Sequence, residues 1–160
     1  MFAALLFLSL VCDSAASRDV HLCSCVIASG RPNVNVLVQE ALRRADAVFV
    51  GSVASVTDRA IPLPSRPSMV MRDRKVVMVL ERGWKGALSD SVVVFTGNGA
   101  GDCGYPFQVG ERYLVFAVAS DSNAFATGTC TLTQALAGAG KYLRTLGEAS
   151  IRPRADSIRP

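Results

Sequence analysis

Cys23 and Cys25 stand on either side of one serine, and no further cysteine follows until Cys103 and Cys130. That spacing limits the folds open to the chain more than any other feature. A bridge inside Cys23-Ser24-Cys25 would close a tiny, strained ring, so it is set aside. If the cysteines are oxidised, each member of the close pair is tied to one of the two distant ones. Either bridge then closes a loop of about 80 residues or more, worth about 4 kcal/mol in the chain-entropy treatment. Four cysteines allow three pairings, and on these grounds the choice between the two long-range ones stays open.

Whether they are oxidised depends on where the chain goes. It begins M-F-A-A-L-L-F-L-S-L-V, an apolar run too short to span a bilayer, which needs roughly 20 residues. Ser14, Ala15, Ala16 and Ser17 follow it. This is the layout of a secretory signal peptide, with the cut expected after Ala16 and Ser17 as the next choice. No Lys or Arg precedes the run, which departs from the usual pattern. The rival reading is a lipoprotein cut before Cys12, which puts Val11 where a small residue is customary. Export after Ala16 removes Cys12 from the 5 cysteines and leaves four (5 − 1). An even count in a small exported domain favours disulfides, and the expected location is secreted or extracytoplasmic.

The length of 160 residues suits one domain. With 50% hydrophobic and 19% charged residues, the composition is that of a globular protein. The net charge of +4 is far below the density of a dedicated nucleic-acid binder. The expected organisation is a signal peptide over 1–16, an extension over 17–22, one folded domain over 23–147 and a disordered tail over 148–160. That tail contains S-I-R-P twice and has little to bury.

Hydrophobic periodicity assigns the elements. From Asn33 to Asp46, Val34, Leu37, Val38, Leu42 and Ala45 form one stripe at helical spacing, with Asn33 as the cap. Strands are expected over Ala47–Thr57, Arg74–Arg82, Ser91–Thr96 and Arg112–Val118, with a short fifth through Phe125–Thr129. Gly51 inside the first suggests a bulge or a sharp bend, as closed barrels need. Asp58–Ser68 holds three prolines and reads as a long exposed loop. Gly83-Trp84-Lys85-Gly86 reads as a turn, and Gly97–Gly104 as a glycine-rich loop. A second helix is expected over Leu132–Leu146, stopped by Gly147. The fold class is mainly β: a five-stranded Greek-key OB-fold barrel with two flanking α-helices and two disulfides. Composition alone leaves a sandwich open.

Few residues carry chemistry of their own. His21, Cys23 and Cys25 offer three potential metal ligands without a spaced partner cluster, and oxidised cysteines do not ligate. Redox catalysis wants C-x-x-C. His21 is the sole histidine, so a Ser-His-Asp triad would rest on a residue in the extension. The glycine loop leads into a strand rather than a helix, so it lacks the helix N-terminus that binds phosphate. Trp84 reads as a turn anchor rather than a ligand platform. Arg59, Arg66, Arg72, Arg74 and Lys75 flank the proline-rich segment, with Asp58 and Asp73 among them. Aromatics are only 7%, and the core claims most of Phe49, Phe95, Phe116 and Tyr113, which argues against a single-strand nucleic-acid groove.

Five stretches resemble the N-terminal module of the tissue inhibitors of metalloproteinases (TIMPs), the netrin-like OB-fold, in its bacterial type. They are Cys23-Ser24-Cys25, the helix followed by V-F-V-G-S-V (48–53), Trp84-Lys85-Gly86 and Asp102-Cys103-Gly104-Tyr105. The fifth is F-Q-V-G-E-R-Y-L-V-F (107–116) with Thr127-Gly128-Thr129-Cys130. Together they run from residue 23 to about 147. The resemblance implies the pairings Cys23–Cys103 and Cys25–Cys130. It also implies a mechanism in which the α-amine and carbonyl of Cys23, as mature N-terminus, chelate a partner protease's zinc while Ser24 enters the substrate pocket. Cys23, Ser24, Cys25, Val26, Asp102 and Gly104 are then the protease-binding residues, and the hairpin after the first strand is a second contact.

Two features depart from the family's pattern. Ser17–Leu22 precede Cys23 after the expected cut, and the family's third disulfide in this module is absent. The expectation is thus a non-enzymatic protein-binding module with no cofactor, no metal of its own, no nucleic acid and no membrane span. Its expected partner is a protein, with a zinc metalloendopeptidase as the sharp case. The alternative is a non-inhibitory extracytoplasmic module that binds an envelope protein or glycan.

Overall fold

A computed structural model of the chain describes residues 23, 25, 33–86, 88–99, 101–120 and 124–153. The expected signal peptide (1–16), the extension (17–22), Ser24, Val26 and the last residues of the tail lie outside these.

Helix α1 covers Val34–Arg44. The Asn33 side chain accepts from the backbone N–H of Asn35 at 2.8 Å, filling one of the orphan donors of the first turn. Arg43 and Arg44 lie in the last turn, where the helix dipole favours cations. Both donate to Glu40, whose carboxyl is held down at about 2 mainly by these hydrogen bonds. Val38 is fully buried, and Ala41, Leu42 and Ala45 join the apolar cluster of Val48, Val50, Leu114 and Phe116.

The strands are β1 (Ala47–Leu63), β2 (Arg66–Lys85), β3 (Ser91–Gly97), β4 (Arg112–Ala119), β5 (Phe125–Ala126) and β6 (Gln134–Ala135). A short 3-10 turn over Leu136–Gly138 leads to α2 (Gly140–Leu146). The fold is mainly β, and the pairings close on themselves: β1–β2–β3–β5–β4 and back to β1. Among the pairings of the described residues, only β3–β5 is parallel. β6 joins the same β4 edge as β5, at Tyr113 and Leu114.

Alternation along the strands sends side chains to two cores. Phe49, Val76, Met78, Val94, Tyr113 and Val115 fill the inside of the ring. Val48, Val50, Leu114 and Phe116 point the other way, against Ala45, Ala139 and the flanking apolar residues of both helices. β1 and β4 are therefore buried on both faces where they pair, which is why Ala47–Val50 and Tyr113–Ala117 read as unbroken apolar runs. Each such large side chain contributes roughly 1.5–3 kcal/mol on burial. At Gly51 the β1–β2 register slips, as its place in the sequence suggests. A Cβ there would sit 2.8 Å from the Val79 carbonyl oxygen, so the strands approach too closely for a side chain.

Several expectations are corrected. Asp58–Ser68 is not a loop: β1 runs to Leu63 and β2 starts at Arg66, with only Pro64 and Ser65 in the turn. The prolines are tolerated because each strand of a two-stranded ribbon has an open edge, where a missing N–H costs nothing. Gly83-Trp84-Lys85 is not a turn but the end of β2, paired with Val48 and Phe49 of β1, and the chain leaves the sheet at Gly86. The single helix over Leu132–Leu146 is replaced by β6, the 3-10 turn and the shorter α2. An open β4 edge captures Gln134 and Ala135, and Gly138 and Gly140 are poor helix formers. The fifth strand is two residues long. The tail stays on the body at least to Ile151, which exchanges backbone hydrogen bonds with Gly83 and packs on the inner core.

Candidate functional site

Two disulfides gather the CxC edge, the glycine-rich loop and the segment after β5 at one end of the ring. Cys23 is bonded to Cys103 and Cys25 to Cys130, across sequence separations of 80 and 105 residues. Their Cα atoms are 5.1 and 5.2 Å apart, well inside the normal range for a bridge. The sulfur of Cys130 lies 3.7 Å from that of Cys23 and 3.9 Å from that of Cys103, so the two bridges touch.

Each arm of this site is held by its own polar scaffold. In the glycine-rich loop, the Asp102 carboxylate accepts from the N–H groups of Asn98 (2.7 Å), Gly99 (2.8 Å) and Gly104 (3.1 Å). Partial burial pushes this carboxyl up, but the backbone donors together outweigh it and leave it below its ordinary value. The same arrangement explains why the loop is no phosphate cradle: the chain's own carboxylate already occupies the N–H groups that an anion would need. Cys103 takes a left-handed backbone, φ 58°, to turn its sulfur back toward Cys23. Gly104 follows with no room at all, since a Cβ there would lie 2.0 Å from the carbonyl oxygen of Gly97. Thr129 ties the two arms together by donating its N–H to the Cys103 carbonyl at 2.8 Å.

The arm that carries Cys130 hangs on threonines. The Thr127 and Thr133 hydroxyls both meet the Phe116 carbonyl of β4, at 2.8 and 3.1 Å. The Phe116 N–H in turn donates to Thr133 Oγ1 at 3.0 Å. Thr131 Oγ1 is 3.0 Å from Thr127 Oγ1 and accepts from the Thr133 N–H. Thr133 is buried, so this network replaces a strand ladder that the irregular segment cannot form. Sequence reasoning missed these residues. The signal was present in T-G-T-C-T-L-T, where threonine recurs at every second position from 127 to 133.

Of the expected site residues, Cys23, Cys25, Cys103, Cys130, Asp102 and Gly104 converge here. Ser24, Val26 and His21 lie outside the described residues. The sulfurs of Cys23, Cys103 and Cys130 lie within 4.8 Å of one another. Disulfide sulfurs are not thiolates, so the cluster is a staple rather than a ligand set in this oxidised state.

The basic residues around the proline-rich segment fall elsewhere, on the β1–β2 ribbon. Arg59 donates to Asp73 across the ribbon and sits over the Phe95 ring, its guanidinium carbon 3.9 Å from the centroid. Arg74 pairs with Asp58 at 2.9 Å. Trp84 is an anchor, its indole N–H donating to the Gly147 carbonyl at 3.0 Å and so fixing the end of α2. Among the described residues no helix is long and apolar enough to cross a membrane. Neither a family model nor a curated protein matches this chain.

Proposed function

We propose that this chain is an exported, non-enzymatic protein-binding module of the TIMP-like, netrin-like OB-fold class, and that its CxC edge inhibits a zinc metalloendopeptidase. The observation that carries this reading is the pairing of Cys23 with Cys103 and of Cys25 with Cys130, which matches what the resemblance implies. The closed circuit of strands, with one helix before it and one after, is consistent with an OB-fold barrel.

The chemistry follows from the first residue. A free α-amine has an unperturbed pKa near 8, so it loses a proton to a metal at little cost around neutral pH. The Cys23–Cys103 bridge and the Asp102-ordered loop hold the backbone of Cys23 in place before binding, which lowers the ordering cost of association. The zinc belongs to the partner, and this chain supplies only backbone donor atoms.

The test is the N-terminus. Two forms are made, one starting at Cys23 and one at Ser17, and each is assayed against a panel of zinc metalloendopeptidases. The Cys23 form is expected to inhibit, and one added residue is expected to abolish inhibition, because an acylated nitrogen does not chelate. Equal inhibition by the Ser17 form would falsify the chelation mechanism.

A second reading rests on the six residues Ser17–Leu22 that remain ahead of Cys23 after a cut at Ala16. If they are retained in the exported protein, the module binds an envelope protein or glycan without inhibiting. Intact mass of the exported chain separates the two readings.

A further inference from the structure

Beyond the ring, the β1–β2 ribbon stands alone. β4 pairs with β1 only as far as Ser52, and β3 pairs with β2 only from Asp73 onward. From Asp73 to the turn the ribbon extends roughly 20 Å at about 3.3 Å per residue. Its tip is rich in exposed apolar side chains: Ile61 is 36% exposed, Met69 49%, Val70 48% and Met71 54%. The cross-strand pairs place them on both faces. Ile61 is opposite Met71 on one face, and Pro62 is opposite Val70 on the other.

The charge of the tip is of one sign. No Asp or Glu occurs between Arg59 and Arg72. Asp58 and Asp73, just outside, are engaged by Arg74 and Arg59. Arg66 and Arg72 have no acidic partner among the described residues; the Arg66 guanidinium donates to the sulfur of Met69 at 3.9 Å.

We propose that this tip is an interfacial anchor for an anionic lipid surface, with Ile61, Met69, Val70 and Met71 entering the headgroup–acyl boundary and Arg66 and Arg72 meeting lipid phosphates. A fluid interface surrounds both faces, which is the distribution of apolar side chains seen here. Charge complementarity is direct, because arginines without acidic partners face a surface of phosphates. Depth is limited by the backbone. The open edges of the ribbon keep unpaired N–H and C=O groups that hydrocarbon does not satisfy, so only side chains enter. The arginine stems lie along the apolar tip while their heads stay at the phosphate level.

The experiment is co-sedimentation of the full oxidised chain with vesicles of phosphatidylglycerol mixed into phosphatidylcholine, against phosphatidylcholine alone. Pelleting is expected with the anionic vesicles and release is expected on raising salt. Arg66→Gln with Arg72→Gln should lower partitioning about thirty-fold, at about 1 kcal/mol per basic residue. Met69→Ser with Met71→Ser should lower it as well, with circular dichroism and disulfide mass unchanged in both variants. No pelleting on anionic vesicles overturns the proposal, and so does pelleting that neither double substitution weakens. Cross-linking of the tip to a protein without any vesicle binding also overturns it, in favour of a protein dock.

Discussion

At the stapled end, segments far apart in sequence meet through two disulfides, the Asp102 carboxylate and a buried threonine network. In the β1–β2 ribbon, the residues that meet are close in sequence, and beyond the ring they touch little except each other. The stapled end has irregular backbone and little apolar burial, so its order comes from covalent and polar ties. The ribbon has regular backbone and exposed apolar side chains, so its order comes from the local ladder. The stapled end is thus held by covalent and polar ties that the ribbon lacks, and the ribbon tip leaves its apolar side chains exposed.

The sharpest way to break this contrast is to remove a staple. Cys23→Ala with Cys103→Ala opens a link across 80 residues and should lower unfolding free energy by about 4 kcal/mol, read from the denaturant midpoint. A loss below about 1 kcal/mol would show that the end is held without its bridge. Next comes Gly104→Ala, whose Cβ would meet the Gly97 backbone at 2.0 Å. Overpacking against backbone rather than a movable side chain should cost about 3 kcal/mol. Thr133→Val keeps the shape but leaves the Phe116 N–H without its acceptor in a buried place, for about 2 kcal/mol.

Acid offers a gentler probe. The Asp102 carboxyl sits lower in the folded chain than its ordinary 3.8. Its contribution is therefore fully present above the unfolded value and is lost as pH falls through the folded one. Asp102→Asn should flatten the pH dependence of stability in that acid window, as followed by thermal melts. The smallest effect is expected on the ribbon. Met71→Thr should stay within about 0.5 kcal/mol of the parent, because the side chain is exposed and threonine suits a strand. A cost comparable to that of Thr133→Val would mean that the ribbon is packed after all.

The pattern of what the sequence reveals follows the same division. The helix after Asn33 and the strands around Val50, Met78, Val94 and Val115 are legible because burial imposes a period on them. Gly51 is legible as a break in the strand because glycine in a strand interior marks a bulge, a bend or a close backbone approach. The prolines of Asp58–Ser68 mislead, since proline is forbidden only where both edges of a strand are paired, and sequence does not say which edges are open. The segment after Leu132 misleads for a related reason. Apolar residues at helical spacing were available, but a vacant edge on β4 took Gln134 and Ala135 first. The disulfide partners follow from resemblance and not from spacing. The threonine network is hidden because hydroxyls that replace a ladder leave no hydrophobic period, only their own alternation.

The separations of 80 and 105 residues also set an order of events. A chain is made from its N-terminus, so Cys23 and Cys25 wait without their distant partners until Cys103 and then Cys130 arrive. The candidate binding edge takes its final form only once nearly the whole domain exists.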